Sequence, residues 1–240
     1  MGFETGGARL GAVSRRSYRQ YCAMARALDV LGERWTLLIV RELLTGPKRF
    51  KDLLEGLPGI GTNLLAGRLK ELEGEGVLRR TTLPPPAGSA VYELTERGRE
   101  LEPVLTGLAW WGLDLLGEPR PGEVFRPVWA VQAIKATFRP EAARWVRETY
   151  EFRVGEDVFH VRVDEGVSEP EYGPAWEPDL VVTTDPDTFL ALVSGQIEPA
   201  DAVYAGKLDF EGDAEALGRV GEIFGLQTGA RRSGVDFGAP

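Results

Sequence analysis

One cysteine, Cys22, and one histidine, His160, are the only thiol and imidazole in the chain, and they lie far apart in sequence. A lone thiol excludes an internal disulfide and any zinc site built on paired cysteines, and a lone imidazole has no second soft ligand to help it hold a metal. No metal site is expected, and His160 reads as a paired structural side chain. Nucleophilic catalysis fares no better, because there is no Gly-x-Ser-x-Gly elbow and no Gly-rich phosphate loop. Acidic pairs such as Glu156/Asp157 adjoin a turn and are most simply solvated. An enzyme is therefore not expected. Another chemistry is available: Asn63 and Lys70 carry an amide and an ammonium that match adenine and guanine edges. Arg49, Arg68, Arg79 and Arg80 are suited to phosphate, and Thr62 and Gly67 fall among them.

The charge distribution agrees with a polyanion bound by the first half only. Residues 1–120 carry 17 Lys+Arg against 15 Asp+Glu, whereas residues 121–240 carry 11 against 22. Within residues 9–80 the balance is 14 basic to 8 acidic, so a locally positive surface fits an acidic chain of net charge −9. At 240 residues, with 43% hydrophobic and 27% charged residues, the chain has the composition of a globular protein and the length of two domains. No apolar run approaches a membrane span. The first 18 residues lack the apolar core of a secretory signal, so a cytoplasmic location is expected.

The elements that must position these residues follow from periodicity and punctuation. Residues 1–20 have no apolar period and read as a flexible arm. Apolar residues then recur at helical spacing in two helices separated at Gly32, the second stopped by Gly46-Pro47, and a short helix follows around Phe50–Leu54. After the turn Pro58-Gly59-Ile60-Gly61, Thr62 is the expected N-cap of a helix over Asn63–Glu75. Leu65, Leu69 and Leu72 form its buried stripe, with Asn63, Gly67 and Lys70 opposite and Arg68 at the edge. A hairpin over 77–83 and 89–94 has a proline-rich tip. Thr95 caps a helical stretch in which Leu101, Val104, Leu105, Leu108 and Trp111 make an apolar stripe, and Pro103 either kinks it or begins its second half. Residues 117–122 are the linker, dividing a domain over 21–116 from one over 123–226, with a loose tail over 227–240. Beyond the linker, helices are expected over Pro127–Thr137 and Glu141–Tyr150, then a hairpin (Phe152–Val154, Val158–Asp164) and a strand Leu180–Thr184. A helix Asp187–Ser194, a segment Ile197–Ala205, a strand Lys207–Glu211 and a helix Ala214–Phe224 complete an α+β pattern.

Helices, a tight turn, a capped helix and a basic hairpin follow the order of a winged helix-turn-helix, which sets one helix in the major groove and the hairpin tip beside the backbone or minor groove. The run CAMARALDVLGERWTLLIVRELLTG over Cys22–Gly46, together with Arg49–Leu53, Gly59–Thr62, Leu69–Leu72, Tyr92–Thr95 and Gly98, resembles the HxlR-type transcriptional regulators over about residues 21–112. The resemblance implies a homodimer on an imperfect palindrome of double-stranded DNA. Its interface would be the N-terminal helix and the helices after the wing. Cys22 stands where several redox-responsive members carry a sensing thiol, but Ala23 replaces the proline common after it. A small buried hydrophobe is the alternative for this candidate redox thiol.

The second half carries its own resemblance. PDLVVTTD over Pro178–Asp185, TFLALVSG over Thr188–Gly195, IEPADA over Ile197–Ala202 and GKLDFEGD over Gly206–Asp213 are similar to the sterol carrier protein-like domain. That family fold is a twisted sheet covered by helices, with an apolar cavity for fatty acyl, sterol or other hydrophobic molecules. Trp129, Ile134, Phe138, Phe189, Leu192, Val193 and Phe224 are the candidate lining, although the same residues fit a filled core. The leading expectation is a homodimeric DNA-binding regulator whose only cofactor-like partner is a hydrophobic effector. The alternative is a lipid- or metabolite-sequestering protein dimerised through its winged helix half.

Overall fold

A computed structural model describes residues 17–84, 86, 88–113, 115–116 and 120–225. Most of the expected N-terminal arm, the C-terminal tail and the first half of the linker lie outside the described residues.

The first half opens with α1 (Ala23–Leu31), α2 (Thr36–Leu44), α3 (Phe50–Gly56) and α4 (Thr62–Gly74). Gly61, not Thr62, is the N-cap of α4, and Thr62 lies within the first turn without capping it. The extended backbone of the Pro-Gly-Ile-Gly turn ends at Gly61, one residue earlier than expected, and Gly is itself an acceptable N-cap. Leu65, Leu69 and Leu72 are buried and meet Ile39, Val40 and Leu43 of α2 and Leu53 of α3 in one core. The hairpin β1 (Leu78–Thr82) and β2 (Ala90–Leu94) pairs antiparallel with Arg80 opposite Tyr92. Lys48 adds a short third rung through mutual backbone bonds with Tyr92 of 2.8 and 2.9 Å.

Two short helices follow, α5 (Glu96–Arg99) and α6 (Glu102–Leu113), so Pro103 begins a new helix rather than kinking one. Thr95 caps α5 by accepting from the Gly98 N–H at 3.1 Å and donates to the Gly76 carbonyl at 2.6 Å. Gly98 has a steric reason: a Cβ there would lie 2.0 Å from the Val77 carbonyl oxygen. The residue leading into β1 and helix α5 approach too closely for any side chain at Gly98.

The second half begins with α7 (Pro127–Thr137) and continues through β3 (Arg147–Val154), β4 (Asp157–Asp164), β5 (Val167–Tyr172), β6 (Leu180–Thr184), α8 (Pro186–Val193), α9 (Pro199–Tyr204), β7 (Leu208–Gly212) and α10 (Ala214–Ile223). The sheet order is β5-β4-β3-β6-β7, with β3 and β6 parallel and the other neighbours antiparallel. The helix expected over Glu141–Tyr150 does not form. From Arg147 the chain is extended, burying Tyr150, Phe152 and Val154 on one face and Glu151 between them, and the whole of β3 is zipped to β4 from Arg147↔Asp164 to Val154↔Asp157. A period of two with aromatic and β-branched residues overrides the helical spacing upstream. Strand β5 escaped the sequence reading because it is polar and holds Pro170; it is an edge strand, where proline is tolerated.

Candidate nucleic-acid interface and the junction between domains

The outer face of α4 is set by its inner one. Anchoring Leu65, Leu69 and Leu72 turns Thr62, Asn63, Ala66, Gly67 and Lys70 into solvent. Leu64 joins them at 41% exposure. The sequence reading missed Leu64 and Ala66, although their positions one step from the buried stripe were the available signal. An exposed leucine and alanine on this face match the apolar contacts that thymine methyl groups accept. A Cβ at Gly67 would meet nothing within 4 Å, so the protein's own packing does not require glycine there.

The arginines divide. Arg68 was expected to contact phosphate, but its side chain is only 17% exposed and is held between Glu33, at 2.9 Å, and Glu71. It clasps α4 to the turn between α1 and α2, because the i,i+3 spacing and the packing of that turn bring both carboxylates to it. Arg79 is exposed and bonds Glu93 across the hairpin at 2.7 Å. Arg80 is exposed on β1, while its backbone N–H donates to Glu73 at 3.2 Å. Arg49 is the exposed N-cap of α3, where its backbone N–H donates to the Asp52 carboxylate at 2.9 Å. Of the eight expected residues, Arg49, Thr62, Asn63, Gly67, Lys70, Arg79 and Arg80 are exposed and Arg68 is not, and the basic hairpin lies directly after α4 in the chain.

The expected dimer stripe also divides. Leu105 is buried in its own chain's core and Leu101 packs against that core, since α6 lies against α2. Val104, Leu108 and Trp111, spaced i, i+4 and i+7, remain exposed on the other side of α6. On α1, Met24 and Leu28 form a second exposed apolar pair beside Tyr21. Cys22 is an exposed free thiol at the N-cap of α1, so the buried-hydrophobe alternative does not apply. The His160 ring Nδ1 lies 3.0 Å from the Gly173 carbonyl oxygen on the far domain.

Six of the seven candidate pocket residues are in the C-terminal core. Ile134, Phe189, Leu192 and Phe224 are buried, and Phe138 and Val193 pack against them. Phe189 meets Phe125, Phe152 and Phe159 at ring separations of 6.5, 6.2 and 5.8 Å. Trp129 is set apart from the other six. Its indole N–H donates 2.7 Å to Oε1 of Glu42, which is buried on α2 of the first domain. The Arg41 guanidinium lies 4.1 Å over the Trp129 ring and donates two bonds, of 2.8 and 3.2 Å, to the same carboxylate oxygen. Arg126 approaches the other oxygen at 3.6 Å. Burial pulls the Arg41 pKa below its ordinary value while Glu42 opposes the shift, and burial likewise pulls Lys48 down. Lys135 of α7 pairs with Glu102 of α6, and Lys48 lies 5.9 Å over the Tyr172 ring. None of these pairings was read from sequence, because Glu42 and Trp129 are 87 residues apart.

A helix-turn-helix whose α4 presents Asn63 and Lys70 to solvent, followed by a basic hairpin, defines a winged helix DNA-binding domain, here carried on a chain with a second α+β domain. The HxlR-like helix-turn-helix family matches residues 30–119, and the SCP-2 sterol transfer family matches residues 131–225. Over 96 residues the chain is 42% identical to the HTH-type transcriptional regulator YodB of Bacillus subtilis, covering 40% of this chain and 85% of that one. It is 39% identical over 89 residues to the regulator YvaP of the same organism, covering 37% and 82%. The solved structure of reduced YodB shares 39% identity over 42% of this chain and 99% of its own, with a TM-score of 0.36. The chain belongs to the HxlR-like family of transcriptional regulators through its first half, and its second half is similar to the SCP-2 sterol transfer family. Among the described residues no helix is long and apolar enough to cross a membrane.

Proposed function

We propose that this protein is a cytoplasmic one-component regulator that binds operator DNA as a homodimer and whose C-terminal domain takes a hydrophobic effector. The observation that carries the DNA reading is the exposed face of α4, with Asn63, Gly67 and Lys70 turned outward and Arg80 on the adjoining hairpin. Homodimer formation is supported by the unpartnered apolar faces of α1 and α6, the latter bearing Trp111 at 67% exposure. Apolar faces of this kind are rarely left in water on a small domain. Two recognition helices would then stand about 34–36 Å apart, one DNA turn. The effector reading rests on the sterol carrier match and on the aromatic interior around Phe189.

The test is titration of the full-length protein against its own promoter region and against random DNA over a salt series. Six to ten neutralised phosphates predict a fall of about 10³–10⁵ in affinity between roughly 50 and 200 mM salt. Equal affinity for both DNAs, or a monomer in sedimentation at micromolar concentration, refutes the regulator as stated. Mass spectrometry of an organic extract from the purified protein tests the effector arm separately, and a hydrophobe bound in stoichiometric amount is the expected result.

A further inference from the structure

The two domains enclose a cleft of about 260 Å³ that neither domain forms alone, walled by Trp35, Leu38, Arg41, Leu57, Val124 and Trp129. Its first three walls come from α2 and its N-cap, the next from the end of α3, and the last two from the segment after the linker and from α7. Leu38 and Val124 stay 40% and 53% exposed at its mouth.

Trp35 is held at φ +78°, in the left-handed region, at the N-terminus of α2. For a bulky aromatic residue that conformation is a true outlier, and such strain concentrates at ligand clamps. Each of the two indoles already carries a guanidinium, Arg34 at 5.3 Å from the Trp35 ring and Arg41 at 4.1 Å from the Trp129 ring. Charge at the junction is unbalanced in the same sense. Arg41, Arg126 and Lys48 surround Glu42, with Asp52 also acting on Lys48, and Arg34 lies over Trp35, while Glu123, the carboxylate that lines the cleft itself, is tied to the Arg120 backbone N–H at 2.8 Å. Oε1 of Glu42 already accepts from Trp129 and twice from Arg41, and Oε2 faces Arg126 at 3.6 Å, so this one carboxylate is shared between both guanidinium groups.

We propose that this interdomain cleft binds a small planar aromatic anion, such as an aryl carboxylate, with its ring against the indoles and its charge toward Arg41. The volume lies just below the range of roughly 300–1,000 Å³ that holds drug-sized ligands, which suits one or two fused rings and excludes a long acyl chain or a sterol. Aromatic faces backed by guanidinium groups favour a ring that also carries negative charge. The site is distinct from the interior of the C-terminal domain and stands whether or not that interior holds a hydrophobe.

The experiment is calorimetric titration of the full-length protein with 2-naphthoate, its neutral counterpart 2-naphthamide, and decanoate as competitor. Leu38→Trp fills the mouth and Val124→Glu places a carboxylate there; both positions are exposed, and unchanged thermal melting shows that the fold is kept. The expected result is saturable binding of 2-naphthoate, one per chain, with a dissociation constant at or below about 1 mM and roughly tenfold tighter than the amide. Leu38→Trp abolishes it, Val124→Glu weakens it by about tenfold or more, and decanoate does not displace it. Absence of saturable binding, equal binding of the amide, wild-type affinity in both variants, or displacement by decanoate each overturns the proposal.

Discussion

Gly67→Ala separates what α4 needs for folding from what it needs for binding. Gly67 lies in the interior of a 13-residue helix, is exposed, and a Cβ added there meets nothing within 4 Å. In the free protein the substitution therefore removes only the entropic cost of glycine, a stabilisation of about 0.8–1.0 kcal/mol. For a cooperative unit of this size that raises Tm by about 2–4 °C. On DNA the same methyl group meets the base edges if α4 lies in the major groove with Gly67 at closest approach. Overpacking of that kind costs about 1–3 kcal/mol, or roughly 5–150-fold in affinity. Scanning calorimetry of the free protein and fluorescence anisotropy with promoter DNA at one salt concentration measure the two effects. A higher Tm with weaker binding is the expected outcome. A higher Tm with unchanged affinity removes Gly67 from the interface, and an unchanged Tm contradicts the helix itself.

Arg80→Ala should weaken promoter and random DNA alike and reduce the slope of log K against log salt by about 1, read from a salt series. Gly98→Ala drives a methyl group into the Val77 carbonyl and should cost about 1–3 kcal/mol or more in denaturant unfolding. Asp185 caps α8, accepting from the Thr188 hydroxyl at 2.6 Å and the Thr188 N–H at 2.9 Å, and these bonds hold its carboxyl below the usual range. Because the folded pKa is the lower one, its contribution is full above the unfolded-state pKa and fades as pH falls through the folded one. Asp185→Ala should thus cost about 1 kcal/mol at neutral pH, with the gap in Tm closing in acid; a gap that persists there contradicts the cap. Glu42→Ala strands Arg41, Arg126 and the Trp129 N–H, and unfolding should lose about 3–5 kcal/mol.

Local patterns were legible where one element decides its own structure. The stripe Leu65, Leu69 and Leu72 and the cap Thr95 needed only spacing and side-chain chemistry. Strand Leu180–Thr184 and helix Pro127–Thr137 were likewise bounded by their own punctuation. Failures came where a partner decided. The segment Arg147–Tyr150 has helical spacing upstream but is captured by β4, and the polar edge β5 exists only because β4 offers it a partner. Arg68 looked free for phosphate because Glu33 is 35 residues away. Trp129 satisfied every criterion for a pocket-lining aromatic except the one that sequence does not carry, the identity of the surface it faces.

That surface gives the chain a mechanical unity that neither half implies alone. Lys135–Glu102 is only partly buried and Lys48 lies 5.9 Å from the Tyr172 ring, so both are minor terms. Glu42 is different, because it is buried and its hydrogen bonds come from both domains. Withdrawing α7 would take away the Trp129 donor and the Arg126 charge together, leaving a carboxylate whose desolvation Arg41 alone must offset. The same junction touches three parts of the winged domain. Glu42 lies on α2, Glu102 on α6, whose outer face carries Trp111, and Lys48 forms the rung that joins the hairpin through Tyr92. Trp129 and Lys135 of α7 thus contact α2 and α6, while Tyr172 of β5 meets the rung at the base of the wing. The second domain is therefore joined to the first by packed contacts as well as by the chain, and those contacts fall on the elements that position α4, α6 and the hairpin.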